Sequence, residues 1–141
     1  MSGLDLDRAM PAYARALSIR SAGEEDGVPM LAMPFQDIVI GRPGFLHGGA
    51  ISGLLEIASI VALHSALTAD ARDVRIKPIN VTVDFMRGGI DHDTFAVGRI
   101  TRLGRTLANV EAAAWQAERG RLIASAQMHY LLRDSNDSLR E

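Results

Sequence analysis

The sequence predicts an α+β fold in which an antiparallel sheet curls around one long central helix. Three observations carry that expectation. The run from Gly48 to Leu67 is apolar almost throughout and, at about 1.5 Å per residue, is long enough for a helix of about 30 Å. From Ile79 to Phe85, "INVTVDF" alternates apolar and polar residues with the period of a strand that has one wet face. The segments that follow are separated by short turns, so they should be antiparallel neighbours. A helix with so little polar face needs wrapping, and a curled sheet supplies it.

Along the chain, residues 5–17 read as a short lead-in helix. Leu17–Ala22 and Val28–Met33 flank the turn-like "GEEDG" and read as a hairpin. The long helix follows, with Gly53, Ala58 and Ala62 as points where another element can approach closely; an interior glycine otherwise costs about 1 kcal/mol relative to alanine. After the 79–85 strand come "TFAVGRITRL" (94–103), "TLANVEAAAWQA" (106–117) and "RLIASAQMHYLL" (121–132), with turns at Gly104-Arg105 and "ERG". The tail 134–141 is polar and expected to fray. No repeat, linker or low-complexity stretch divides the chain, so residues 1–141 are expected to form a single domain.

Composition narrows the function classes. Fifteen Lys and Arg against 17 Asp and Glu give a net charge of -2, which provides no global basic field and argues against a nucleic-acid partner. Ten of the basic residues fall in 71–133, against six acidic ones, so the second half is suited to an anionic ligand. The absence of cysteine excludes disulfides and thiolate chemistry, and the N-terminus lacks a secretory pattern, so a cytoplasmic location is expected. The 48–67 run is long enough to cross a bilayer, but Glu56 and His64 interrupt it and no Trp or Tyr flanks it; no membrane partner is expected. His47, His64, His92 and His129 show no ligand spacing, so neither a metal nor another cofactor is expected.

The stretch "PGFLHGGAISGLLEIASIVAL" contains one misfit, Glu56, a carboxylate in an apolar helix nine residues after His47. A charge taken out of water costs several kcal/mol unless it is paired or used. "GRPGFLHGGAISGLLEIAS" resembles the signature loop and helix of the hotdog-fold acyl-CoA thioesterases, in the phenylacetate-pathway (PaaI-like) and 4-hydroxybenzoyl-CoA branch. Gly44, His47, Gly48, Gly49 and Glu56 fall where that branch has Gly-x-x-His-Gly-Gly and an acid nine residues after the histidine. "VTVDFMRGG" and "RLGRTLANVEAAAW" are similar to the family's strands, and the likeness covers about residues 15–132. It implies a hotdog fold, an acyl-CoA substrate, sites at a dimer interface, and dimers that often pair into homotetramers. Two positions depart from the pattern. Gly41 stands where Asn or Gln is common six residues before the histidine, and Ile60 stands where the hydroxybenzoyl type has Ser or Thr.

The residues also suit the chemistry on their own terms. The N–H groups of Gly48 and Gly49, at the start of the helix, lack intrahelical partners and lie at the positive end of its dipole, where an oxyanion can be held. Glu56 can activate a water as general base or attack the carbonyl directly. Each residue also has a plainer use: His47 as a cap, the glycines as a tight turn, Glu56 as half of an ion pair. Along one helix His47 and Glu56 are about 13.5 Å apart, so a site at Gly48 should draw its carboxylate from a second copy, across a two-fold axis.

The catalytic candidates are therefore Glu56, His47 and Gly48, and the substrate-binding candidates are Gly41, Gly49, Ser52, Ser59, Arg87, Arg102 and Arg105. Arg102 and Arg105 in "TRLGRT", or Arg87 in "MRGG", would meet the phosphates of coenzyme A. Ser59 and His64 are near enough in sequence to stand in for the Ser or Thr that Ile60 replaces. The alternative is a noncatalytic hotdog domain that binds acyl-CoA. A hotdog dehydratase would need a histidine before Pro43, and there is none.

Overall fold

The computed structural model describes residues 10–134. Its elements are α1 (Ala12–Ala16), β1 (Arg20–Glu25), β2 (Val28–Met33), α2 (Gly48–Ala69), β3 (Val74–Phe85), β4 (Thr94–Leu103), β5 (Leu107–Trp115) and β6 (Leu122–Asp134). The strands form one sheet in the order β1-β2-β4-β5-β6-β3, and every neighbouring pair is antiparallel. It curls around α2 as the sequence predicts.

Small residues let the sheet close on the helix. Ala96, Ala112, Ala114, Ala124 and Ala126 are all buried on the strands that meet it. They leave room for Ile51, Leu54, Leu55 and Ala58 of α2, all buried in the same cluster. The closest approach is at Gly98 of β4, where a Cβ would lie 2.7 Å from Ala62 Cβ and 2.8 Å from the Ala58 carbonyl oxygen. Ala58 and Ala62 are thus small because a strand presses on them. The helix is long and apolar enough to cross a membrane, yet 67% of its most apolar 18 residues is buried inside this fold.

Several boundaries differ from the sequence expectation, each for a local reason. The first hairpin turns at Asp26-Gly27 alone, because both adopt positive φ (51° and 80°) as the tight Asp-Gly turn requires. Consequently β1 runs on through Glu25, absorbing Gly23 at a register irregularity between Ser21 and Glu24. Residues 17–19 are not strand. They close α1, with Ser18 at φ 56° and the Ile19 N–H donating to the Ala14 carbonyl at 3.0 Å. Pro11 precedes the helix, which starts only at Ala12; residues 5–9 of the expected lead-in helix and 135–141 of the tail lie outside the described residues.

The larger correction concerns β3. It is longer than expected, beginning at Val74, and it pairs with β6 rather than with β4, the next strand in sequence. The link from Met86 to Asp93 is too long for a tight hairpin and packs back on the loop before α2, with Gly88 beside Phe45 and Gly89 beside Leu46. That leaves β3 at the sheet edge, with Ile79, Val81, Phe85 and Met86 all about half exposed.

If the seam at Gly98 sets how closely helix and sheet approach, Gly98→Ala should lower stability by about 1–3 kcal/mol in urea unfolding, through overpacking. An unchanged midpoint would show that the helix is not held at that point.

Candidate active site

The loop "GRPGFLH" is a small hairpin that delivers the start of α2. Pro43 and Gly44 occupy the centre of a type II turn, with Gly44 at φ 83° and the Phe45 N–H donating to the Arg42 carbonyl at 3.0 Å. Gly41 N–H donates to Phe45 O, Ile40 bridges Leu46, and His47 N–H donates to Val39 O at 2.8 Å. Leu46 N–H reaches Gly89 O at 3.0 Å, which ties this hairpin to the link after β3. The link is itself pinned by Gln116, a buried side chain that accepts from Ile90 N–H and donates to Ile90 O and to Thr94 Oγ1.

His47 caps the helix. Its backbone is extended (φ -71°, ψ 136°), and its Nδ1 accepts the Gly49 N–H at 2.8 Å. Nδ1 is therefore unprotonated, and the ring proton of the neutral imidazole sits on Nε2. A Cβ at residue 49 would lie 2.9 Å from Nδ1, so glycine is required there. Of the two glycine N–H groups expected to be free, Gly49 is committed to His47. The Gly48 N–H has no partner among the described residues and lies at the positive end of the helix dipole. Phe85, at the end of β3, packs over Gly48 at 3.4 Å from where a Cβ would be.

Glu56 corrects the sequence reading: it is exposed. Gly49, Glu56, Ile60 and His64 form a stripe of α2 that the sheet leaves uncovered, with Ser52 half-buried beside it. Glu56 has no partner among the described residues, so its charge stays in water in the isolated chain. Partial desolvation lowers the pKa of His64 on the same stripe. Ser59 turns the other way. It is fully buried and accepts a hydrogen bond from Tyr130 Oη at 2.9 Å, so it serves the core and not this face. Burial first of all, with the Glu56 charge as a minor contributor, pushes the Tyr130 hydroxyl up to about 12 and keeps it a donor.

Gly41 does not leave open room. A Cβ there would lie 3.1 Å from His47 Cα, so the glycine lets the loop close on the histidine backbone. Arg87 follows Phe85 at the His47 end of the helix. Its Nε donates to Leu122 O at 3.0 Å, and with Arg121 and His92 it lines a groove of about 380 Å³. Arg102 and Arg105 lie elsewhere. Arg72, just past the end of α2, donates to Gly104 O and Arg105 O at 2.9 Å each, which places that turn at the opposite end of the helix from Gly48, a helix about 30 Å long. Within one chain they do not join the site. Two neighbours of this stretch of α2 escaped sequence reading: Phe85, seen only as a strand residue, and Tyr13, whose ring lies over Gly53. A glycine in mid-helix was the one available signal for the second.

Residues 43–123, more than half of the chain, match the family model described as the thioesterase superfamily. A structure from Chromobacterium violaceum is 30% identical over 92% of this chain and 88% of that one, with a TM-score of 0.70. A mutant thioesterase from Pseudomonas aeruginosa is 22% identical, covers 94% and 96% of the two chains and has a TM-score of 0.77. A thioesterase from Haemophilus influenzae, 15% identical over 91% and 87%, has a TM-score of 0.76. These last two show the likeness of fold. Comparison with functionally curated proteins found no match.

If His47 holds the first turn through Nδ1, His47→Ala should cost about 1 kcal/mol in urea unfolding, while His47→Asn, another good cap, should recover most of the loss. Equal losses in both variants would mean that the ring matters for something other than the cap.

Proposed function

This chain belongs to the thioesterase superfamily, and we propose that it hydrolyses an acyl-CoA thioester at a site shared between two copies of the chain. The observation that carries this reading is a Gly48 N–H and a Glu56 carboxylate that have no partner among the described residues, the first at the start of α2 and the second on its uncovered stripe.

The thioester carbonyl oxygen accepts the Gly48 N–H. Glu56 takes a proton from water as the hydroxide adds to the carbonyl carbon, and the oxyanion that forms gains most from the fixed N–H and the helix dipole. Collapse breaks the C–S bond, and the proton on Glu56 passes to the thiolate, leaving a carboxylic acid and free coenzyme A. In the other route Glu56 itself attacks, and water then opens the anhydride. Both use the same two groups. His47 fixes the first turn and keeps its Nε2–H for the substrate.

Two features support the second copy. Gly48 and Glu56 are eight residues, about 12 Å, apart along the axis, beyond the reach of one carbonyl. And β3 is a twelve-residue edge strand bearing half-exposed Ile79, Val81 and Phe85, a surface that monomeric proteins rarely leave uncovered. Its apolar strip ends at Phe85, beside Gly48. A two-fold axis along this edge, with the helices antiparallel, would place the Glu56 of one copy near the Gly48 of the other, twice. Arg87 and Arg121, at the same end, suit the phosphates of the substrate.

Glu56→Gln should abolish release of coenzyme A, measured as thiol, while leaving unfolding by urea unchanged, since the carboxylate is exposed. More than about a tenth of the wild-type rate would take Glu56 out of the reaction, because it corresponds to only about 1.4 kcal/mol of barrier. Refolding Glu56→Ala together with His47→Ala, which removes both the cap that fixes the Gly48 turn and the Nε2–H offered to the substrate, tests the sharing. Mixed dimers hold one intact site of two and form half of a random mixture, so about a quarter of the activity should return. Purified mixed dimers without activity would refute the shared site.

A further inference from the structure

Gly53 sits in the middle of α2, where glycine costs about 1 kcal/mol relative to alanine. The structure supplies its reason. A Cβ at residue 53 would lie 2.7 Å from Tyr13 Cε2 and 2.9 Å from the Tyr13 hydroxyl oxygen, so the glycine is the seat of that ring. Tyr13 is nonetheless 53% exposed, and its hydroxyl makes no hydrogen bond among the described residues.

The ring is presented from a fixed platform. Met10, Ala14 and Leu17 of the α1 segment are buried, Arg15 donates to Met10 O at 2.6 Å, and Gln36 donates to Leu17 O at 3.2 Å. A core aromatic would be covered, and a stray surface one would need no glycine beneath it.

Its position gives it a task. Gly53 lies four residues after Gly49 and three before Glu56, each about 5–6 Å away on the helix surface. Side chains on a helix lean toward its N-terminus, so Glu56 projects over the turn that holds Ser52 and Gly53. We propose that Tyr13, seated on Gly53, is the apolar wall beside Glu56 that selects the acyl group by its bulk. The proposal rests on the thioesterase reading. Because Tyr13 and Glu56 belong to one chain, the wall accompanies the carboxylate whichever copy supplies the Gly48 N–H. The flat of the ring packs against the acyl carbons next to the reacting carbonyl, and groups too wide for that gap are turned away.

The test measures kcat/KM for acetyl-, butyryl-, octanoyl-, dodecanoyl-, benzoyl- and phenylacetyl-CoA with the wild type, Tyr13→Phe, Tyr13→Ala and Tyr13→Trp. Tyr13→Phe should keep the wild-type ranking. Tyr13→Ala should raise the ratio of the bulkiest substrates to acetyl-CoA at least about fivefold, and Tyr13→Trp should lower it, since a methylene or two in such a gap changes discrimination by at least that much. A merely structural tyrosine would depress all substrates in proportion and leave the ranking unmoved, which would overturn the proposal. Calorimetric binding of the matching nonhydrolysable thioether analogues separates the two readings. If the wild type cleaves no thioester but the binding ranking shifts with residue 13, the hydrolase reading falls and the wall stands. If cleavage proceeds and neither ranking moves, the wall falls and the hydrolase reading stands. With neither cleavage nor binding, both are wrong.

Discussion

The structure depends on one contact: α2 lying against a sheet surface paved with alanine and, at Gly98, with no side chain at all. Hydrophobic burial there runs over nearly the whole length of a 22-residue helix, and it is close enough that van der Waals contact is made backbone to side chain. That contact fixes the axis, the rotation and the depth of the helix at once. The candidate residues His47, Gly48 and Glu56 are then placed by counting along it.

Rotation decides which side chains face the sheet. Ile51, Leu54, Leu55, Ala58, Ala62 and Ser59 are turned inward, and Gly49, Glu56 and His64 are turned away. Depth decides where the helix begins, because the hairpin "GRPGFLH" must climb from the core to the first turn within a few residues. Type II turn chemistry at Pro43-Gly44 and close packing of Gly41 on His47 accomplish this. The cap at His47 follows, and with it the choice of which glycine N–H is left over.

The same constraint explains what is bare. Six strands do not suffice to enclose α2, so one stripe of it and the long edge strand β3 stay open side by side. In the function proposed above, a second copy related by two-fold symmetry would cover this edge and this helix face. The groups to which the proposals assign chemistry, the Gly48 N–H and the Glu56 carboxylate, both stand on α2, and Tyr13 is seated against it at Gly53.

Much of this was legible in the residues themselves. A long, nearly unbroken apolar run announced the helix and its start at Gly48, alternation announced the strands, and the spacing of His47, Gly48 and Glu56 marked the candidate site, because such patterns express local geometry. Short turns also foretold the β1–β2, β4–β5 and β5–β6 pairs, whereas long-range neighbours were decided only in three dimensions. Nothing local tells β3 to pair with β6 across 39 to 60 residues, or brings Arg72 to the Gly104 carbonyl and so carries Arg105 to the far end of the helix. Glu56 read as a buried charge because its sequence neighbours are apolar, yet exposure depends on rotation about the helix axis and on how far the sheet extends. Ser59 read as a site residue because it is three positions from Glu56, and the same rotation turned it to Tyr130. Gly53 was visible as an interior glycine, but what it accommodates, an aromatic ring 40 residues earlier in the chain, existed only once α1 had packed against α2.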